Sequence, residues 1–361
     1  VTVQAMGAME EIAVTAQRLG QTGFQNEGLS TTLGLQALQE VISIDRDITD
    51  AAQLDPFASV NQNGTAKELS IAGANNRFNS LTIDGVALND RFGLNANGYP
   101  SQRSPISYDA IESLSIQTAP FDVEYNGFTG GTINAVTKSG TNRFEGSVGY
   151  YSTDDSMIGD KNGDNDFDFK FEEETMVATF GGPIIKDKLF FFVAYDKYEE
   201  VAPLRDGPAG SGALNTEAGI TSDDVAEVAQ IVNSVWGFDI GGFSKPPAED
   251  EKVLANIDWN ISDNHRAKLT YIQTEGNTIN EQNGNNFLAS DNILGASSAW
   301  YDRSEEVESV IGHLFSDWSN NFSTEFKIAS TTQATGQDSL NGAEFPSMAV
   351  FLREVAGEEN Y

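Results

Sequence analysis

The densest set of ligand-type side chains in this sequence is Asp160-Lys-Asn162-Gly-Asp164-Asn-Asp166-Phe-Asp168. Carboxylates and an amide at every second position can wrap oxygen atoms around Ca2+. The run matches the opening of an EF-hand loop, but Asn165 takes the sixth position and Phe171 the twelfth. An EF-hand needs glycine and glutamate there. Two readings stay open: a Ca2+ site of another kind, or a solvated acidic loop. Ca2+ is the one candidate cofactor; none is required.

Other chemistry is poorly supplied. The only histidines are His265 and His313, so no HExxH pair exists. There is no G-x-S-x-G elbow, no P-loop and no cysteine. With 54 acidic residues, carboxylate pairs at glycosidase separation arise by chance. The expectation is a protein that is not an enzyme. A net charge of −33 makes nucleic acid an unsuitable partner, because phosphates require a basic stripe. Cations, polyols and basic peptides are compatible with it.

These residues must be held by elements, and two regimes are visible. Before about residue 140 the segments are short and mixed. Helices are expected over Leu33–Val41 and Ile48–Leu54, the second ended by Pro56. Strands are expected over Glu68–Ala72, Ser80–Leu88, Ile111–Thr118 and Gly130–Thr137, with Asp84-Gly85 as a turn signal inside the second. That makes a compact α+β domain.

After Arg143 the period falls towards two. Seven strands are expected: Phe144–Tyr151, Met176–Phe180, Leu189–Tyr198, Val253–Ile261, Ala267–Tyr271, Val307–Trp318 and Phe322–Ile328. Short turns at 181–188, 262–265 and 319–321 alternate with long connections at 152–172, 199–250 and 276–299. A transmembrane barrel alternates in this way. Its strands need only about 9–11 residues, whereas a spanning helix needs roughly 20. The longest apolar run, Leu189–Tyr195, suits only a strand. Tyr150, Tyr151, Tyr195, Tyr198, Trp259, Trp300, Tyr301 and Trp318 are expected in interfacial girdles. A short helix is expected over Ser222–Val235, as a lid or external cap.

Three long stretches are specific beyond periodicity. They are LSIAGANNRFNSLTIDGVALND (69–90), NGYPSQRSPISYDAIESLSIQTAPFDVEYNGFTGGTINAVTKSGTNRFEGS from Asn97, and GGPIIKDKLFFFVAYDKYE from Gly181. They resemble the plug and first barrel strands of TonB-dependent outer-membrane receptors, most closely the Oar-like branch. The resemblance runs over roughly residues 9–200; beyond 200 the reading rests on barrel periodicity.

The resemblance implies an α+β plug domain followed by antiparallel transmembrane β-barrel strands, part of a barrel of about 22 strands. It divides the chain into the end of a preceding small β-domain (1–9), a TonB-box segment (10–19), the plug (20–140) and about seven barrel strands with long external loops (141–361). Seven strands would leave an unpaired edge in lipid, so further strands are expected from outside this sequence. Ile12-Ala-Val-Thr-Ala16 takes the place of the TonB box; its residues are Ile12, Ala13, Val14, Thr15 and Ala16. Such a segment adds as a strand to an exposed edge of TonB. Asn89, Asp90, Arg91, Phe92, Asn95, Asn97 and Tyr99 are candidate substrate contacts at the plug apex; the plainer reading is an Asn/Gly loop packed on the wall. Asp84 is read as a structural turn residue, and Arg77 and Arg91 as candidates for holding the plug to acidic barrel walls.

The implied function is active transport of a substrate, a peptide or protein among Oar-like members, across the bacterial outer membrane. The implied partners are TonB, with ExbB/ExbD as energy supply, outer-membrane lipid and an extracellular substrate. The rival expectation is a Ca2+-binding outer-membrane surface or adhesion protein; a third is a soluble acidic β-sandwich.

Overall fold

A computed structural model describes residues 29–43, 45–63, 66–118, 127–159, 161–162, 165–166, 170–282, 294–342 and 350. The expected TonB box lies outside them. So do Asp160, Asp164 and Asp168 of the acidic run, and the side chains of Asn162 and Asp166 are likewise not described.

The first part runs β1 (Ser30–Gly34), α1 (Leu35–Glu40), α2 (Ile48–Ala52), β2 (Ala58–Asn63), β3 (Ala66–Ile71), β4 (Ser80–Ile83), β5 (Val86–Ala87), β6 (Ile111–Gln117) and β7 (Thr132–Thr137). The sheet order is β1-β6-β7-β4-β5, with β2-β3 as a separate hairpin. β4 and β7 pair in parallel; the other neighbours are antiparallel. Both helices were expected. Asp47 caps α2 by accepting from the Thr49 amide at 2.9 Å, which supplies a first-turn donor with a partner. β1 and β2 were not expected, because each is short and lacks alternation.

The second part runs β8 (Glu145–Asp154), β9 (Lys161–Asn162), β10 (Asn165–Asp166), β11 (Glu172–Ile185), β12 (Leu189–Val201), β13 (Asp206–Ala209), β14 (Asn215–Thr221), α3 (Ser222–Trp236), β15 (Ala248–Ser262), β16 (His265–Asn280), β17 (Tyr301–Ser319) and β18 (Phe322–Ser339). Seven of these form one antiparallel sheet, β18-β17-β16-β15-β12-β11-β8. They are the seven expected strands. The sheet is open, with β8 and β18 as its edges. Tight turns join β11–β12, β15–β16 and β17–β18 at one end, and long connections join the strands at the other. α3 sits in the long β12–β15 connection behind a capping box of Thr221 and Asp224, and ends at Gly237 with φ 67°.

This wall is inside-out relative to a soluble sheet. On β15, Asp250, Lys252, Asn256 and Asp258 are buried, whereas Ile257, Trp259 and Ile261 are exposed. Leu269, Val310, Leu314, Phe326 and Ile328 continue the exposed face across the neighbouring strands. Phe144, Phe180 and Phe191 cluster on it with ring centroids 5.6–6.4 Å apart. An exposed apolar band beside a buried polar face is what lipid on one side and a polar interior on the other require. Among the described residues no helix is long and apolar enough to cross a membrane.

The first domain sits against the inward face. Its core of Ile48, Leu69, Ile71, Leu81, Ile83, Leu114, Ile116 and Ile133 is continuous with Phe192, Ala194, Leu254, Ile272 and Ile311 of the wall. Gly140 marks a close approach: a Cβ there would run into the Phe191 backbone.

The girdle expectation holds only in part. Tyr150, Trp259 and Trp318 are exposed on the outward face. Tyr198 is buried on the inward face, because even-numbered positions of β12 point in. Trp300 is fully buried and donates its indole N–H to the Gly295 carbonyl at 2.8 Å. Tyr151 lies beneath Arg46, whose guanidinium carbon is 4.9 Å from its ring centroid.

Candidate functional site

The polar face of the wall meets the plug at two ends. At the tight-turn end the meeting point is the β4–β5 hairpin. Asp84 and Gly85 take φ of 48° and 70°, the two successive positive values that a tight hairpin demands. That turn aims the Asp84 side chain at the wall. Its carboxylate accepts from the Thr137 amide at 3.0 Å, the Thr137 hydroxyl at 2.7 Å and the Thr270 hydroxyl at 3.2 Å, and pairs with Lys268 Nζ at 3.1 Å. Burial pushes the carboxyl pKa up, but Lys268 and the two Thr137 bonds outweigh it and hold the group below its ordinary 3.8. Asn256 ties the same point from β15, donating to the Thr137 hydroxyl at 2.8 Å and the Lys138 carbonyl at 2.7 Å. Asp84 is therefore structural, as expected, and it is also the plug's anionic contact with the wall.

At the long-loop end the plug presents residues 89–107. Asp90 gathers three backbone amides, Phe92 at 2.8 Å, Gly93 at 3.0 Å and Asn95 at 2.8 Å. Asn95 donates to the Tyr99 carbonyl at 2.9 Å, and Asn97 to the carbonyls of Ser101 at 3.1 Å and Gln102 at 2.8 Å. Asn89 accepts from the Leu81 amide at 3.2 Å and donates to the Asn79 carbonyl at 2.8 Å. Tyr99 is 4% exposed, and burial holds its hydroxyl pKa well above the usual value. The seven candidate contacts thus divide. Asn89 ties the loop to β4 and the residue before it, Asp90, Asn95 and Asn97 bond the loop to itself and Tyr99 is buried within it, while Arg91 and Phe92 are exposed at its tip.

The loop is fixed to the wall by residues the sequence reading did not select. Arg303 of β17 donates to the Leu94 carbonyl at 3.1 Å and to Asn95 Oδ1, and Gln102 donates to Glu305 at 3.1 Å. Arg103 lies over the Tyr198 ring, 3.6 Å from its centroid, with Asp250 Oδ1 at 3.6 Å. Lys252 pairs with Asp250, and the Ser107 hydroxyl donates to Asp196 at 2.9 Å. Asp250 and neighbouring carboxylates hold the Arg103 guanidinium above its ordinary pKa against the opposing effect of burial. The expectation for Arg77 is corrected. It donates to the Gly93 carbonyl at 2.7 Å within the plug. The arginine that meets an acidic wall is Arg103. One signal was present in the sequence: charged residues on a regular strand face, such as Asp250 and Lys252, need a polar partner if that face is buried.

A cleft remains between plug and wall beside Arg103, lined by Asp45, Lys67, Tyr198, Glu200 and Asp250 among others. Asp47 and Glu249 also line it, and the cations Lys67 and Arg103 stand among these carboxylates. Among the described residues no group of three or more His, Cys, Asp or Glu side chains is arranged to hold a metal.

Comparison with known proteins places this geometry. Residues 30–132 match the TonB-dependent Receptor Plug Domain family, and residues 136–207 match the family described as Outer membrane beta barrel domain. The TonB-dependent transporter Oar of Myxococcus xanthus is 33% identical over 192 residues, covering 46% of this chain and 16% of that protein. Among solved structures, the outer membrane transporter YddB from Escherichia coli has TM-score 0.61 at 12% identity, covering 86% of this chain and 40% of that one. The siderophore receptor PirA from Acinetobacter baumannii has TM-score 0.56 at 16% identity, covering 90% of this chain and 43% of that one. The chain therefore spans less than half the length of each of these relatives.

Proposed function

We propose that this chain, which belongs to the TonB-dependent receptors of the bacterial outer membrane and carries their plug and leading barrel strands, works as the gate of an energised transporter. The observation that carries the reading is a plug fastened to the wall at both ends, by Asp84 at the turn end and Arg103 at the loop end. A wall with so polar an inward face would otherwise line an open channel. A gate held by buried ion pairs needs work to move, and coupling to TonB supplies it.

In this reading the long-loop end faces outward and receives the substrate, a peptide or protein by analogy with the Oar-like branch. Arg91 and Phe92 make first contact with it. Ile12–Ala16 pairs as a strand with TonB in the periplasm, where main-chain hydrogen bonds supply the affinity. A proline at Val14 removes one of those donors and fixes φ away from the strand value. Val14→Pro in the complete receptor should abolish capture of the purified periplasmic domain of TonB and leave the plug's amide-exchange pattern unchanged. Capture at wild-type affinity would overturn the TonB-box assignment. The acidic run at 160–168 receives no role here.

A further inference from the structure

We infer that the β11–β12 turn, Lys186-Asp187-Lys188, recruits an anionic phospholipid from the periplasmic leaflet of the membrane. The two lysines take the phosphodiester, and the aromatic face above them takes the acyl chains. The inference rests on the transport reading for which leaflet the turn meets, and it names the kind of lipid found there.

The outward apolar band is bordered by charge at both ends, and the two borders differ in sign. At the long-loop border Glu249, Glu251, Glu275, Glu306 and Glu308 are exposed on the outward face, since the residues alternating with them are the inward-facing ones. Glu275 stands in register with both Glu251 and Glu306. That border repels a phosphate. At the tight-turn border the outward positions of β12 and β15 are Leu189, Phe191, Ile257, Trp259 and Ile261, none of them charged. The charge there comes from the turn. Lys186 and Lys188 are exposed, and among the described residues neither ammonium group has an ion-pair partner. The carboxylates beside them are engaged: Asp187 accepts from the Asn142 amide at 2.7 Å, and Glu145 pairs with Arg143 at 3.0 Å.

The surface above the turn is shaped as well as apolar. Gly182 pairs with Phe191, and the Phe144 ring fills the space that a side chain at Gly182 would take. Phe144 and Phe180 are stacked with centroids 6.0 Å apart and ring planes 10° apart, and Phe191 adjoins both. Ile184 and Ile185, both exposed, extend this platform down to Lys186. A lysine can lay its stem along such a surface and hold its ammonium group in the headgroup layer. Each lysine near an anionic lipid surface contributes about a fivefold preference. Asp263, exposed in the β15–β16 turn, opposes them, so the pair together is expected to give about fivefold rather than more.

Two tryptophans report the lipid at this border. Trp259 is exposed on the outward face and pairs in register with Leu189, next to Lys188. Trp318 is exposed beside the β17–β18 turn, where Asn320 and Asn321 carry no charge. The complete receptor is reconstituted in phosphatidylcholine vesicles, and quenching by dibrominated phosphatidylglycerol is compared with quenching by dibrominated phosphatidylcholine. Trp259→Phe and Trp318→Phe variants isolate each signal by difference. Phosphatidylglycerol should bind beside Trp259 about fivefold more tightly than phosphatidylcholine, and the two lipids should bind about equally beside Trp318. Lys186→Gln with Lys188→Gln should bring the Trp259 ratio down to that of Trp318. The turn is held by main-chain bonds and by the Asn142–Asp187 pair, which this variant keeps. Equal binding of the two lipids at Trp259, the same preference at both tryptophans, or an undiminished preference in the double variant would overturn the inference. Quenching of neither tryptophan by either lipid would overturn the barrel reading, and the inference with it.

Discussion

Replacing Asp84 by asparagine isolates the charge of the turn-end contact. Asparagine tolerates the positive φ of 48° and keeps an acceptor for the Thr137 amide. What is lost is the negative charge facing Lys268, whose side chain is 11% exposed against 5% for Asp84. Removing one partner of a buried pair costs about 3–5 kcal/mol, because the other charge stays buried and uncompensated. At about 1.4 kcal/mol per tenfold, the lower figure corresponds to a more than hundredfold increase in local opening. The assay is amide exchange of residues 80–83 and 132–137 in the detergent-purified complete receptor, since exchange of protected amides reads opening free energy. The D84N plug should exchange there more than a hundredfold faster, while β1 and β6 amides change far less. Adding Lys268→Met removes the stranded cation and should restore most of the protection. Exchange within threefold of wild type in D84N alone would refute the claim that this pair fastens the plug.

The same group sets a pH dependence. The Asp84 pKa is depressed in the seated plug, so its contribution is complete above the unfolded value of about 3.9 and is lost as pH falls through the lower folded value. Proteolysis of the plug should therefore show no Asp84-dependent change between about pH 5 and 8 and should accelerate below about pH 4; a D84N plug with the wild-type acid profile would contradict this. Gly140→Ala places a methyl group against the Phe191 backbone, which has no side chain to swing aside; membrane yield of plug-protected receptor should collapse, and a normal yield would show that the approach is looser than described. Arg103→Lys keeps the charge beside Asp250 but loses the planar stacking on Tyr198; a loss of about 0.5–2 kcal/mol is expected in the urea midpoint of loop-end exchange, and an unchanged midpoint would assign the contact to charge alone.

The wall was legible because alternation survives over Ala255–Ile261 of β15 and Ala267–Tyr271 of β16. Its ends were not. β11, β12 and β15 each run on through acidic triplets or pairs, Glu172–Glu174, Glu199-Glu200 and Glu249–Glu251, that carry no strand signal of their own. They are strands because the neighbouring strand continues. In the plug, β1 was missed because its partner β6 lies far along the chain, and β2, which pairs locally with β3, because its six residues show no alternation. The apical candidates were found by type, but type does not separate an asparagine that meets a ligand from one that closes a loop. Asn95 and Asn97 close the loop. The fastening residues Arg103, Lys268 and Arg303 were missed because no local pattern marks them and the partner of each lies on the other domain.

The pairings also differ in how far along the chain they must reach. In the wall, Ser262 pairs with His265 and Ser319 with Phe322, so each hairpin closes over a few residues. In the plug, Ser30 pairs with Gln117 and Ser80 with Thr132. Closing those loops costs chain entropy before any contact is gained, and such pairings form slowly. The domain synthesised first is therefore the one that finishes last, docking into wall hairpins that already exist. Pulse-labelled exchange during refolding should show protection of 265–280 and 322–339 before 30–34, and the reverse order would exclude this sequence of events. Until that docking, the inward carboxylates and lysines of the wall face water, which is where their charges are cheapest to hold.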